Sequence, residues 1–222
     1  MRRIDAMDDV MAGLEALCDA DPRLRDVRAV AGDVPLRRVE PGFASLVSII
    51  VSQQVSRASA DAIFGRLAAL VQPMSPQVLA GASDDLFREA GLSRPKQKTL
   101  RAVAGAFAQD GFDLDAACRL GAEQAIARMT ALHGIGPWTA EVYLLFASGH
   151  PDVFPAGDVA LQSAVGHAFA IDPRPSARAL AAIAESWRPW RGVAARLFWA
   201  YYREMKGRDA LPPAVKPAFV AR

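Results

Sequence analysis

Asp158 directly follows Gly157 and stands before Val159 to Phe169, an apolar segment that reads as a helix. A carboxylate there has two readings. As a plain N-cap it accepts the bare N–H groups of the first helical turn, worth about 1 kcal/mol of stability, and from the residue pattern alone this reading is favoured. The same terminus and its dipole also suit an anion, so the cap can double as a fixed negative charge offered to a reaction. A second stretch, Thr130-Ala131-Leu132-His133-Gly134-Ile135-Gly136-Pro137-Trp138-Thr139-Ala140-Glu141, sets two glycines one residue apart between helix-compatible sequences. That pattern predicts a tight reversal between two helices. Pro137 suits the first turn of the second helix, where its missing N–H has no intrahelical acceptor. Bare N–H groups at such a tip suit a phosphate; an ordinary helix–helix connection is the plainer alternative.

Other candidates are weaker. Gln53 and Gln54 lie at the end of a helix expected over Phe43 to Val55. A buried amide must find several partners, so a helix end facing water is the simpler reading. Arg94, Lys96 and Lys98 crowd a helix start after Gly91-Leu92-Ser93, either as a solvated face or as a phosphate contact. Trp138 is by default a core residue. Cys18 and Cys118 are isolated, without Cys-x-x-Cys spacing, which suggests buried or inert thiols in a reducing compartment. His133, His150 and His167 show no metal-ligand spacing.

These residues are carried by a chain of 222 residues, about half apolar, enough for a proper core. The formal charge of +2 gives no global basic field, so any nucleic-acid contact must be local. Arginine outnumbers lysine 22 to 4; this suits forked phosphate contacts or reflects genomic base composition. No apolar stretch behind Arg2-Arg3 suggests a secretory signal, and none is long enough for a membrane span. The expectation is a cytoplasmic protein, nucleoid-associated if bacterial.

Apolar spacing predicts helices over residues 5–19, Phe43–Val55, Ser59–Val71 and 115–132, and through Leu100 to Phe107 and Trp138 to Phe146. Ser75-Pro76 and Ser83-Asp84-Asp85 read as starts of short helices. Residues 21–41, broken by Gly32, Pro35 and Pro41, read as connecting structure, and the Pro-rich tail after Lys206 as a loose extension.

Leu132-His133-Gly134-Ile135-Gly136-Pro137-Trp138-Thr139-Ala140, followed about one helix later by Gly157-Asp158, resembles the signature of the helix-hairpin-helix DNA glycosylase superfamily. The resemblance covers roughly residues 40–205 and is greatest to the 3-methyladenine DNA glycosylase II branch. It implies an all-α, two-lobed fold with the active site in the cleft. One lobe would be 43–140, and the other 1–42 with 141–222, whose N-terminal helix packs with the C-terminal helices. Relatives with an extra N-terminal β domain are longer.

By the resemblance, Asp158 is the catalytic anion, stabilising a deoxyribose that turns cationic as a damaged base leaves. Asp152 is the nearest rival acid. Trp138 and Trp199 would line the base pocket, while Trp187 and Trp190 would pack or form its rim. Strand-cutting relatives have a lysine at the position of Trp138, so a tryptophan implies monofunctional base release. Gln54 would be the wedge left in the DNA stack, with Gln53 beside it, although the family wedge is often apolar. Lys96 and Lys98 match a Gly-Leu-Ser-x-x-Lys pattern and would contact backbone. The N–H groups of Gly134, Gly136 and Thr139 would hold phosphates. The carbonyls of Thr130, Leu132 and Ile135 would ligate a monovalent cation. No cofactor is required, and two cysteines cannot build the four-cysteine iron–sulfur loop of some relatives.

The expected partner is double-stranded DNA containing a damaged base, bound by a monomer without membrane association. Excision of alkylated purines such as 3-methyladenine or 7-methylguanine is the leading expectation. The alternatives are a glycosylase for hypoxanthine or ethenoadenine, or a non-catalytic DNA-binding helix-hairpin-helix module.

Overall fold

A computed structural model describes residues 3–207, and no strand occurs among them. The expected character of the tail beyond Lys206 therefore falls almost wholly outside the described residues. The chain separates into two compact units, one of residues 3–38 with 144–207, the other Val39–Tyr143.

In the first unit α1 (Met7–Ala20) buries Val10, Leu14, Leu17 and Cys18. The carboxylate of Asp9 accepts the N–H groups of Asp5 and Ala6, both at 3.0 Å, supplying the cap that Ala6 lacks. Residues 21–41, expected as connecting structure, contain a helix, α2 (Arg23–Ala31). Only Leu24, Val27 and Ala31 of its nine residues are buried, too short an apolar stripe to stand out; packing against the C-terminal helix holds it.

The second unit begins with α3 (Phe43–Ser52), buried from Ser45 to Ser52, and α4 (Arg57–Leu70). A helix buried on all its faces belongs inside a core. α3 ends three residues before the expected Val55 because Gln53 leaves the helical region at ψ 129° and Gln54 turns left-handed at φ +57°. Ser56 then caps α4 by accepting the N–H of Ser59 at 3.2 Å. The short helices α5 (Pro76–Ala80) and α6 (Asp84–Glu89) start where expected, capped by Ser75 and Ser83.

α7 (Arg94–Ala108) begins within the basic block and packs with α3 and α5. The helix expected over 115–132 is two, α8 (Leu114–Cys118) and α9 (Ala122–Thr130), parted at residues 119–121. α10 (Pro137–Phe146) follows the hairpin, and the division between units falls inside it.

The chain returns to the first unit with α11 (Val159–Ala168), α12 (Ala177–Ala184), a single 3₁₀ turn (Glu185–Trp187) and α13 (Arg191–Lys206). Residues 192–202 of α13 are all buried, and α1, α2 and α11 pack around it. Gly13 permits the approach of α1, since a Cβ there would fall 2.7 Å from Val193 Cγ2 and 2.8 Å from Trp190. Trp187 is a packing residue, 1% exposed against Phe154, Phe169 and Phe198. No described helix is long and apolar enough to cross a membrane.

Candidate active site

Asp158 caps α11. Its Oδ1 accepts the N–H groups of Ala160 at 2.9 Å and Leu161 at 3.1 Å, and its own N–H donates to Pro155 at 2.8 Å. The indole N–H of Trp199 approaches the same Oδ1 at 3.4 Å, a long contact. The residue is only 8% exposed, so three donors fix a carboxylate largely withdrawn from water. Its chain neighbours are open: Gly157 is exposed with nothing near where a Cβ would lie, and Val159 is 59% exposed. The N-cap reading of Asp158 is the one these hydrogen bonds show.

Trp199 has no exposed surface and packs on Phe146 at 5.6 Å. In this conformation it offers no face to a base, contrary to the expectation of a pocket aromatic. Its position on a helix buried on every side places its indole N–H against Asp158 instead. Gln162, one turn after Asp158, escaped the sequence reading. It is buried, and its Nε2 donates 2.9 Å to Ala156 O in the loop before the acid. The available signal was an amide set among Val159, Ala160, Leu161, Ala164 and Val165.

The rival acid is occupied. Asp152 is 6% exposed and takes a forked contact from Arg191, at 2.7 and 3.0 Å, and a third from Arg188 at 3.3 Å. His150 is buried beside it and accepts the N–H of Asp152 at 3.1 Å; burial lowers its pKa, partly opposed by the Asp152 charge. His167 meets Tyr201 Oη at 2.8 Å, and His133 is exposed.

Two arginines the sequence did not single out cap the end of α10. Arg38 Nη1 donates to the carbonyls of Phe146 and Ala147, at 2.7 and 2.6 Å. Arg196, 1% exposed, donates to Leu36, Leu145 and Gly192 at 3.1, 2.8 and 2.8 Å. Burial, with Arg38 nearby, pushes the Arg196 guanidinium down to about 9, and cations at a helix C-terminus complement its dipole.

In the second unit the hairpin forms as its glycines require. Gly134 adopts φ +80°, and a Cβ on it would lie 2.7 Å from Thr99 Cγ2 on α7. Gly136 has open space around the equivalent position. Buried Ile135 pins the tip and donates its N–H to Leu132 O at 3.1 Å. Among the described residues the N–H groups of Gly134 and Gly136 meet no protein acceptor. That of Thr139, expected to hold a phosphate, already donates to Gly136 O at 3.1 Å, and Thr139 is buried. Trp138 is half-buried in the first turn of α10.

The expected DNA contacts at the end of α3 divide. Gln54 and Lys98 are exposed. Gln53 is half-buried, and its Nε2 donates to Thr139 Oγ1 at 2.7 Å. Lys96 Nζ donates to Val51 O at 2.6 Å, and burial lowers its pKa. The spacing of the basic block did not distinguish Lys96, turned inward, from Lys98, turned out.

Residues 47–189, which hold the hairpin and Asp158, match the HhH-GPD superfamily base excision DNA repair proteins. A Mycobacterium tuberculosis protein described as a probable bifunctional transcriptional activator/DNA repair enzyme AlkA is 35% identical over 214 residues, covering 89% of this chain; the chain spans 41% of that relative's length. The crystal structure of a Bacillus halodurans DNA-3-methyladenine glycosidase superposes with a TM-score of 0.74 at 30% identity, covering 93% of this chain and 94% of that one. The Schizosaccharomyces pombe 3-methyladenine DNA glycosylase in complex with abasic DNA gives 0.76 at 26% identity, covering 86% and 95%. With residues 47–189 matched and the fold shared over most of its length with a solved structure 30% identical, the chain belongs to the HhH-GPD superfamily of base excision DNA repair proteins.

Proposed function

We propose that the chain is a monofunctional DNA glycosylase that excises alkylated purines, of the 3-methyladenine and 7-methylguanine type, from double-stranded DNA and leaves an abasic site. The observation that carries this reading is Asp158, an almost buried carboxylate held by two backbone N–H groups and an indole. The names of the relatives point to the same substrate class.

A target base is inaccessible in the stacked duplex, so its nucleotide rotates out at a cost of roughly a few kcal/mol, least for a damaged base. The free N–H groups of Gly134 and Gly136 would grip a phosphate near the lesion. Exposed Gln54 would fill the space the base leaves. The half-buried face of Trp138 would stack on the cationic purine, an attraction of about 0.5 to 2 kcal/mol depending on desolvation.

The bond between C1′ and the purine nitrogen then breaks with both electrons going to the base. The base leaves neutral and needs little acid catalysis, while the sugar becomes an oxocarbenium ion. The Asp158 carboxylate stabilises that cation. Water adds at C1′ and gives up a proton, leaving the abasic sugar with both phosphodiesters intact. Trp138 offers no amine for a Schiff base, so the strand is not cut.

The carbonyls of Thr130, Leu132 and Ile135 belong to the six residues from the end of α9 through the hairpin, and that of Leu132 keeps a second lone pair beside its bond from Ile135. Neutral oxygens of this kind fit a monovalent cation, which would supply charge for phosphate binding and take no part in bond cleavage.

A duplex containing one 7-methylguanine, incubated with the protein and resolved on a denaturing gel, tests the reading. Release of the base with a strand that breaks only after alkali is expected. Binding without release would leave a non-catalytic hairpin module; a strand break without alkali would overturn the role given to Trp138.

A further inference from the structure

The turn between α3 and α4 places Gln54, a residue with a side chain, at φ +57°, a conformation that L residues rarely adopt outside glycine. Such a conformation persists only where its surroundings over-determine it. Two polar links do so here. On the α3 side, Lys96 Nζ in the first turn of α7 holds Val51 O at 2.6 Å. At the turn itself, Gln53 Nε2 holds Thr139 Oγ1 at 2.7 Å. Thr139 is 2% exposed and stands in the first turn of α10, three residues after Gly136. Gln54, exposed between these anchors, makes no hydrogen bond among the described residues.

We propose that Gln53 and Lys96 are positioning residues rather than DNA contacts: they staple the turn that presents Gln54 to α10 and α7, so the wedge and the phosphate-gripping hairpin move as one body. The proposal rests on the base-flipping reading above. Its physical content is preorganisation. A wedge that must find its geometry during insertion loses rate, whereas one held in advance does not. Because the acceptor is a hydroxyl on α10, the strain at Gln54 is offset from outside its own turn.

Four variants of the full chain separate a staple from a direct DNA contact: Gln53→Met, Thr139→Val, the two combined, and Thr139→Ser, which keeps the hydroxyl. Single-turnover base release is measured at saturating duplex, with a 2-aminopurine beside the lesion reporting unstacking. Gln53→Met and Thr139→Val should each slow both signals about tenfold, the rate equivalent of one hydrogen bond. The double variant should be no slower than the worse single, the half-saturating DNA concentration should change little, and Thr139→Ser should stay within about twofold of wild type. Losses that multiply, to about a hundredfold in the double variant, would show Gln53 acting on DNA by itself and overturn the staple.

Lys96→Met supplies a readout that a fold defect would not move. The slope of log binding constant against log salt should match wild type, whereas Lys98→Met should flatten it by about 0.9; flattening in Lys96→Met would return that residue to the DNA backbone and overturn its placement here. If wild type itself releases no base, the glycosylase reading fails. The link is then still decided by urea unfolding of the Gln53 and Thr139 cycle: non-additive midpoint shifts sustain it, and additive ones overturn it.

Discussion

Replacing Asp158 by asparagine removes one charge and preserves the shape of the cap. The amide oxygen can still accept from Ala160, Leu161 and Trp199, and asparagine is as good an N-cap as aspartate, so stability should hold to within roughly 0.5 kcal/mol. What disappears is the attraction between an anion and the cationic sugar. At about 4 Å and an effective dielectric of about 20, suited to a carboxylate near but beneath the surface, that is roughly 4 kcal/mol, or about a thousandfold in rate. Asp158→Ala should lose the same rate and also the cap, about 1 kcal/mol and a melting temperature about 2–4 °C lower. Single-turnover release from an alkylated duplex measures the first effect, and thermal unfolding by circular dichroism the second. An Asp158→Asn protein that folds like wild type and works within tenfold of its rate would show that the charge does not drive the reaction.

Further expectations concern the two glycines, the buried arginine and acid stability. Gly134→Ala forces a side chain at φ +80° into Thr99 and should cost more than about 1 kcal/mol in urea unfolding, while Gly136→Ala, with open space, should fold normally and weaken DNA binding in fluorescence anisotropy. Arg196→Met strips donors from three carbonyls inside the fold and should destabilise by about 3 kcal/mol or more; a wild-type urea midpoint would show those carbonyls satisfied otherwise. Burial lowers the pKa of His150 from its ordinary 6.5, so below that pH the unfolded chain binds the extra proton and stability falls as pH drops, levelling below the folded value. His150→Gln should flatten that part of the urea-midpoint profile.

The features readable from sequence are those whose physics is local. Two glycines and a proline dictate the hairpin, Ser75 and Ser83 caps open short helices, and Gly157-Asp158 announces a helix start; each needs only its neighbours. What sequence could not show depends on distant partners. α3 stops at Ser52 in company with a bond from Gln53 to a residue 86 positions away. α2 carries too few apolar residues to declare itself and is held by α13. Trp199 and Lys96 have the residue types of a stacking platform and a phosphate contact, yet burial turns one toward Asp158 and the other toward Val51 O. Arg196, a charge inside the core, follows from no periodicity, since its acceptors come from three separate segments.

If the Asp158 charge stabilises a cationic sugar, binding to abasic-site analogues reveals it without turnover. A duplex carrying a cationic pyrrolidine in place of the sugar should bind wild type about a hundredfold or more tighter than one carrying a neutral tetrahydrofuran, as expected of a mimic of the transition state, and Asp158→Asn should abolish that preference. Equal discrimination by the two proteins would remove the Asp158 charge from this role.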